Sequence, residues 1–388
     1  MPGLPLNEIF ARKTYIDSKN DLSLMKIAVV HTSFISKGGG ERFVYEVFSR
    51  LSKHYEIHIF CNNISNESFD FNKFECSVIP ARHDLFGKFV AYYEAKALKN
   101  VIKYAVKWKP DIIWLNRGYY HASWIIEKHN IKVIPYVHYP ISLEPIKTGF
   151  LRKVYRRIIN LEGLESKAFA QVPVVLCNSK YTESAIKREQ PLAKTEVVYP
   201  GVDHNKFYPT WEDEGYLYYN SRFQKFKNHE LAVKIAIKTN YNLILSGFVS
   251  KNNIIYFEYI KKLAEKYNNI KILQNPSDDA IIKLLQKCSI FLFPSLGEHF
   301  GIAPLEAMAC GKPVIGHKSG GTIETVGEAG ILCGDDINEW VENVTRLMED
   351  KDERINLGKK AFEFSKTFTW DRTVNKIRCI IESIVKKP

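Results

Sequence analysis

No run of about 18 apolar residues occurs anywhere in these 388, so a membrane-spanning helix is not expected. Residues 1–24 lack the basic, apolar and small order of a secretory leader; they read as a loose N-terminal extension before a body that starts near Met25. The seven cysteines (Cys61, Cys76, Cys177, Cys288, Cys310, Cys333 and Cys379) hold no Cys-x-x-Cys pair and no Cys/His spacing suited to zinc. They are expected to be reduced, mostly buried thiols of a cytosolic protein. The G-x-G-x-x-G fingerprint is missing too, which counts against a dehydrogenase. No motif for nucleic-acid binding is present either, so no nucleic-acid partner is expected.

Charge is plentiful and uneven. The chain carries a net +12. Residues 25–200 hold 26 basic side chains against 16 acidic ones, whereas residues 201–388 hold 26 against 24. The first half is therefore the basic half. Ordinary solubilising charge accounts for this, and so does an anionic membrane surface. Two stretches combine basic and apolar residues. In 149–169, Leu151, Val154, Tyr155 and Ile158 fall on one helical face bordered by Arg152, Lys153 and Arg156, with Arg157 nearby. In 82–109, Phe86, Phe89, Tyr92 and Tyr93 mix with Lys88, Lys96, Lys99, Lys103 and Lys107. Each stretch fits either a membrane contact or an apolar face packed on a sheet.

Short runs rich in Val and Ile alternate with amphipathic helical patterns. Candidate strands are 26–32, 56–61, 111–116, 132–138 and 173–179, then, after a break, 216–221, 242–247, 270–275, 289–295, 313–317 and 330–334. The break at 199–215 has two prolines, two glycines and an acidic cluster, the composition of a linker. Such alternation argues for parallel sheets covered on both faces. The fold class is α/β, with two Rossmann-like domains facing a central cleft. The expected divisions are 25–202, 203–368 and a C-terminal helix at 369–388 that packs back on the first domain. In such sheets ligands sit at the C-terminal strand ends.

Four groups of residues fall at those ends. Glu298 follows a strand in a glycine-rich turn, and Glu306 comes after it with seven residues between, inside a helix whose first turn suits Pro304,. The backbone at Phe300, Gly301 and Ile302 would then offer N–H groups to an anionic or hydroxyl-rich ligand. A carboxylate there can accept from two vicinal hydroxyls, or it can simply offset the helix dipole. Arg222 and Lys227 follow the strand 216–221; they suit a diphosphate grip or a solvated basic loop. Gly38, Gly39 and Gly40 sit at a strand-to-helix turn, where backbone can approach a ligand closely,. His138 ends another strand, placed to bond a sugar hydroxyl or to serve the structure. The acidic pairs Asp278-Asp279 and Asp335-Asp336 read as cap and loop residues,.

In this order, from about Lys26 to the C-terminus, these pieces resemble retaining GT-B glycosyltransferases of the large family with an E-x7-E motif. Glu298 and Glu306 with HFGIAPL between them carry the most specific likeness, and ACGKPVIGHKSGG (309–321) and KTFTWDRTV (366–374) add to it. GGGER (38–42) and VHYPIS (137–142) are most similar to enzymes that add α-mannose to lipid-linked oligosaccharides, and NPSDDAIIKLLQKC (275–288) is compatible with them. The resemblance implies that Glu306 binds the nucleoside ribose, and that Glu298 and the backbone at Phe300, Gly301 and Ile302 touch the donor sugar. It implies that Arg222 and Lys227 hold the diphosphate, that Gly39 and Gly40 lie near the phosphates or the reacting carbon, and that His138 faces the sugar. One departure stands out. Asn220-Ser221-Arg222 occurs where the family often has Gly before Arg, so the backbone at the diphosphate can differ.

The implied activity is transfer of mannose from GDP-mannose to a polyprenol- or dolichol-linked glycan. No metal and no separate cofactor is expected, since Arg222 and Lys227 would supply the charge. The implied location is the cytoplasm, peripheral on the cytoplasmic face of an anionic membrane. Three other readings stay open: a UDP-sugar donor serving a surface polysaccharide or another glycoconjugate, trehalose- or sucrose-type synthesis, and a non-catalytic sugar-nucleotide-binding subunit.

Overall fold

The computed structural model describes residues 24–35, 38–65, 69–71, 74–80, 90–141, 160–250 and 253–386. The first sheet contains β1 (Lys26–Val30), β2 (Glu56–Cys61), β3 (Glu75–Val78), β4 (Ile112–Leu115), β5 (Lys132–Val137), β6 (Val175–Cys177) and β7 (Thr195–Val197). They pair in parallel in the order β3-β2-β1-β4-β5-β6-β7. The second sheet contains β8 (Tyr216–Asn220), β9 (Asn242–Gly247), β10 (Ile270–Gln274), β11 (Ile290–Phe293), β12 (Val314–His317) and β13 (Ile331–Cys333), parallel in the order β10-β9-β8-β11-β12-β13. In both, strand order reverses beside the first strand, between β1 and β4 and between β8 and β11. Such a reversal opens a crevice at the C-terminal strand ends.

The central strands are continuous apolar runs because helices cover both of their faces; every residue of β4 and of β11 is buried. On one face of the first sheet, Phe43 of the helix Gly39–Leu51 stacks on Tyr136 of β5 with ring centroids 3.8 Å apart. On the other face, Leu98, Val101, Ile102 and Ala105 of the helix Val90–Lys107 are buried. Lys96, Lys99, Lys103 and Lys107 of that helix remain exposed. The apolar side of the helix from Leu98 to Ala105 thus packs on the sheet, and these four lysines form an outer basic stripe. The other basic-apolar residues, 149–159 and 82–89 with the side chains of Tyr92 and Tyr93, lie outside the described residues.

Two strands escape the sequence reading. β3 and β7 are the edge strands of the first sheet, and their residues are half-exposed or exposed. An edge strand covered on one side lacks the continuous apolar run that marks its neighbours.

The chain crosses between the sheets twice, and the two crossings touch: the Val202 N–H donates to the Phe368 carbonyl at 3.0 Å. The C-terminal helix Trp370–Lys386 then returns to the first sheet, where Trp370, Val374, Ile377, Ile381 and Ile384 join its core. Among the described residues, no helix is long and apolar enough to cross a membrane.

Candidate active site

On the second-domain side, a buried tyrosine sets the geometry. The Tyr219 hydroxyl, on β8, donates to the Lys227 carbonyl at 2.7 Å and bonds the Ser295 hydroxyl at 3.0 Å. It thereby ties the turn after β8 to the turn after β11. Lys227 and Glu298 consequently form an ion pair. Lys227 is only 8% exposed, whereas Arg222 is exposed. The sequence suggests a loop role for both; the structure gives Lys227 a buried one.

The Glu298 turn is braced from below. Gly320 has φ +61°, and a Cβ there would lie 2.3 Å from the Glu298 carbonyl oxygen, so only glycine permits this approach. The Gly321 N–H donates to that carbonyl at 2.6 Å. The Gly297 N–H donates to the Ser319 hydroxyl at 3.0 Å. His317 bonds Ser319 at 2.9 Å through Nδ1 and Asp335 at 3.0 Å through Nε2.

Gly301, at φ +101°, turns the chain into the helix Ile302–Ala309. Among the described residues none accepts from the N–H groups of Gly301 and Ile302, which leaves these helix-start donors available to a ligand. The Phe300 ring is buried between the domains, stacked on Tyr199, which leaves its backbone as the part available to a ligand. Glu306 lies within the helix and is 6% exposed.

On the first-domain side, three adjacent strands each end in a polar residue. His31 follows β1, Asn116 follows β4 and His138 follows β5. His138 Nε2 and Asn116 Oδ1 are 3.1 Å apart, as are Asn116 Nδ2 and His31 Nδ1. Burial, then the Arg117 charge, brings His31 down to about 3; burial, Arg117, His31 and His299 hold His138 well below its ordinary value. Both imidazoles are therefore neutral at pH 7. The Asn116 amide fixes the tautomer: His138 Nε2–H donates to Asn116, which leaves Nδ1 as an acceptor. His138 can thus accept a hydrogen bond, but it cannot act as a cationic acid at neutral pH. A Cβ on Gly40 would sit 3.6 Å from His138 Nε2, and one on Gly39 would sit 3.4 Å from Ile302 Cδ1. The triple-glycine turn therefore meets both His138 and the second-domain helix.

Arg42, four residues into the same motif, forms an ion pair with Glu306 across the cleft. Each of the two candidate glutamates is thus held by one cation. For Glu306, burial raises the carboxyl above its usual range, and Arg42 offsets this only in part. For Glu298, burial also pushes upward, but Lys227, with smaller contributions from His299 and Arg222, outweighs it and holds the carboxyl below its usual range.

The cleft is bridged further out by rings. The Arg117 guanidinium lies over Tyr139 at 4.5 Å, and Tyr139 lies 5.0 Å from His299 of the second domain. Arg42, His31, Asn116 and His299 are functional candidates that motif reading passes over. A signal for His31 and Asn116 was available: each is the polar residue closing a central apolar strand.

No group of three or more His, Cys, Asp or Glu suited to a metal occurs among the described residues. Asp336 caps the helix Ile337–Glu349 through the Asn338 N–H, and Asp278 opens the helix Asp278–Lys287, whose cap is Ser277.

Comparison with known proteins fits this arrangement. Residues 37–206 match the Glycosyltransferase Family 4 model and residues 203–364 match the Glycosyl transferases group 1 model. The chain is 29% identical over 238 residues to the alpha-1,3/1,6-mannosyltransferase ALG2 of Saccharomyces cerevisiae, a match spanning 49% of this chain and 47% of that one. The match therefore takes in about half the length of that relative. The ALG2 protein of Kluyveromyces lactis is 26% identical over 390 residues, which cover 81% of this chain and 76% of that one. In fold, the chain is similar to the crystal structure of Anabaena Alr3699/HepE in complex with UDP and glucose, with a TM-score of 0.76 and 18% identity over 92% of this chain and 100% of that one. Two glycosyltransferase family models meet at the interdomain linker, one on each parallel sheet: the chain is a GT-B glycosyltransferase related to the α-mannosyltransferases.

Proposed function

We propose that this chain transfers mannose from GDP-mannose to a lipid-linked glycan, with retention at the anomeric carbon and without a metal. The observation that carries the reading is the meeting of Lys227, Glu298, Glu306 and the Gly301 helix start on one side of the cleft with Gly39, Gly40 and His138 on the other. The mannosyltransferase activity of the ALG2 relatives supports mannose as the sugar.

In this reading Glu306 accepts from the two ribose hydroxyls. Arg222 and Lys227 hold the diphosphate. Glu298, the N–H groups of Phe300, Gly301 and Ile302, and His138 hold sugar hydroxyls, while Gly39 and Gly40 bring backbone to the phosphates. The bond from C1 to the diphosphate oxygen breaks as the acceptor oxygen bonds C1 on the same face. The acceptor's proton passes to the departing phosphate. Catalysis is positioning plus stabilisation of the charge that grows on the leaving group. The basic outer stripe of Lys96, Lys99, Lys103 and Lys107 suits a peripheral location on an anionic membrane carrying the acceptor.

Thermal melting with nucleotides tests the donor. A ligand that binds only the folded state raises the melting temperature with its concentration. GDP and GDP-mannose are expected to protect, and UDP and UDP-glucose to do so far less. Protection by UDP-glucose alone would favour a UDP-sugar donor, the class of nucleotide named with the Anabaena protein. Protection without turnover on any acceptor would favour a binding subunit.

A further inference from the structure

We infer that Glu324 is a positioning residue that closes the cleft by capping, from the second domain, a helix of the first. The helix Lys180–Glu189 follows β6. Its own cap, Ser179, accepts from the Thr182 N–H at 3.0 Å. The two preceding N–H groups are taken from the other domain: Lys180 N donates to Glu324 Oε2 at 2.9 Å and Tyr181 N donates to Glu324 Oε1 at 2.8 Å. The Tyr199 hydroxyl donates to Glu324 Oε2 at 2.9 Å. One carboxylate thus takes three donors from the first domain. It sits where a helix favours negative charge and where unpaired N–H groups need an acceptor.

Each end of this clasp leads to a candidate site residue. In the first domain, Asn178 and Thr182 both donate to the backbone carbonyl of His138, at 3.0 and 3.5 Å. In the second domain, Thr325, next to Glu324, donates its hydroxyl to the Phe300 carbonyl at 3.1 Å. Tyr199 itself stacks on Phe300, with centroids 5.7 Å apart and planes 25° apart. A path from His138 to the Phe300–Ile302 backbone therefore runs through Glu324, beside the ring contact of Tyr139 with His299. When the clasp is made, the two walls of the cleft have one relative placement. When it is broken, the parts that face the sugar lose their register while Glu306, Arg222 and Lys227, the nucleotide residues of the second domain, keep theirs.

The test is to replace Glu324 by Ala and, separately, Tyr199 by Phe, which removes one of the three bonds and keeps the ring. Spin labels at Lys53→Cys and Lys261→Cys, both exposed positions in different domains, with the exposed Cys379 changed to Ser, report the domain separation by pulsed electron resonance. Glu324→Ala is expected to broaden and lengthen the distance distribution. It is expected to lower kcat by on the order of tenfold or more, the effect of a misplaced reacting centre, and to leave the Kd for free GDP within about twofold. Tyr199→Phe is expected to fall between it and wild type in both readouts. An unchanged distance distribution in both variants overturns the proposal. So does an equal loss of GDP affinity and rate, which would put Glu324 in the donor pocket itself. The kinetic and GDP readouts rest on the proposed transfer activity, and the distance readout does not. If the wild type moves no sugar, that reading fails and the distance comparison still decides the clasp.

Discussion

Arg42 and Glu306 form an ion pair across the cleft, one from the glycine-rich turn of the first domain and the other from within a second-domain helix. Their side chains are 20% and 8% exposed. The carboxylate proposed to bind the ribose is thus held by the opposite domain. Removing one partner of a buried pair leaves an unpaired charge, which costs about 3–5 kcal/mol. Arg42→Ala is accordingly expected to lower the melting temperature markedly, with saturating nucleotide restoring part of the loss. A melting temperature equal to wild type would show that the pair contributes nothing.

The two glutamates are expected to separate in function. Glu306→Ala should weaken GDP binding by roughly 1.5–3 kcal/mol, the size of hydrogen bonds to a charged group. Glu298→Ala should leave GDP affinity nearly intact and slow sugar transfer. Calorimetry with GDP, set beside turnover, checks both, and an equal loss of affinity in the two variants contradicts the division of roles.

Arg222 and Lys227 are expected to differ in a way the sequence does not suggest. Each alanine variant should lower turnover by about 2–4 kcal/mol of transition-state stabilisation, as loss of a donor to developing negative charge does. Lys227→Ala should also reduce stability, because Glu298 loses the cation that offsets its burial. Arg222→Ala, at an exposed position, should melt as wild type does. Wild-type turnover in Arg222→Ala would remove it from the diphosphate site.

Stability should fall on acidification. Burial brings His31 and His229 down to about 3, against an ordinary value near 6.5. A histidine lowered in the folded state contributes stability that is full above its unfolded value and is lost as pH falls toward its folded one. Between pH 6.5 and 5 each should therefore cost about 2 kcal/mol. Denaturant unfolding at pH 7 and pH 5 checks the slope, and His31→Asn should make it shallower.

The exposed lysines of the helix Val90–Lys107 provide the membrane test. Basic groups at an anionic surface contribute about 1 kcal/mol each. The protein is expected to bind anionic vesicles, less so as salt rises. Reversing Lys96, Lys103 and Lys107 to Glu should weaken that binding and leave GDP affinity unchanged. Indifference of the wild type to anionic vesicles at low salt would favour a soluble acceptor.

The two sheets were legible because a parallel strand buried on both faces is a continuous apolar run, as IIWL in β4 and IFLF in β11 are. The edge strands β3 and β7 have no such run, and their pairing is set by neighbours the sequence cannot display. The site was legible where a motif marks it, at Glu298, Glu306 and the glycine turn. Arg42 lies within GGGER, yet no local pattern marks its role, because its partner lies 264 positions away and only the folded cleft brings them together. Glu324 likewise follows a recognisable Gly-Gly, yet its donors are backbone N–H groups of the other domain, which no residue type announces. The burial of Lys227 was hidden for the same kind of reason: Tyr219, which pins its turn, reads in sequence as one more core aromatic.

The most direct measurement is transfer itself. Purified protein is given GDP-mannose and a polyprenyl-linked glycan acceptor in excess EDTA, and the anomeric configuration of the new linkage is read by NMR. An α-linked mannose, formed in EDTA and lost in Glu298→Ala, is the predicted result. A β-linkage, an absolute need for a divalent metal, or transfer only from a UDP-sugar would contradict the account.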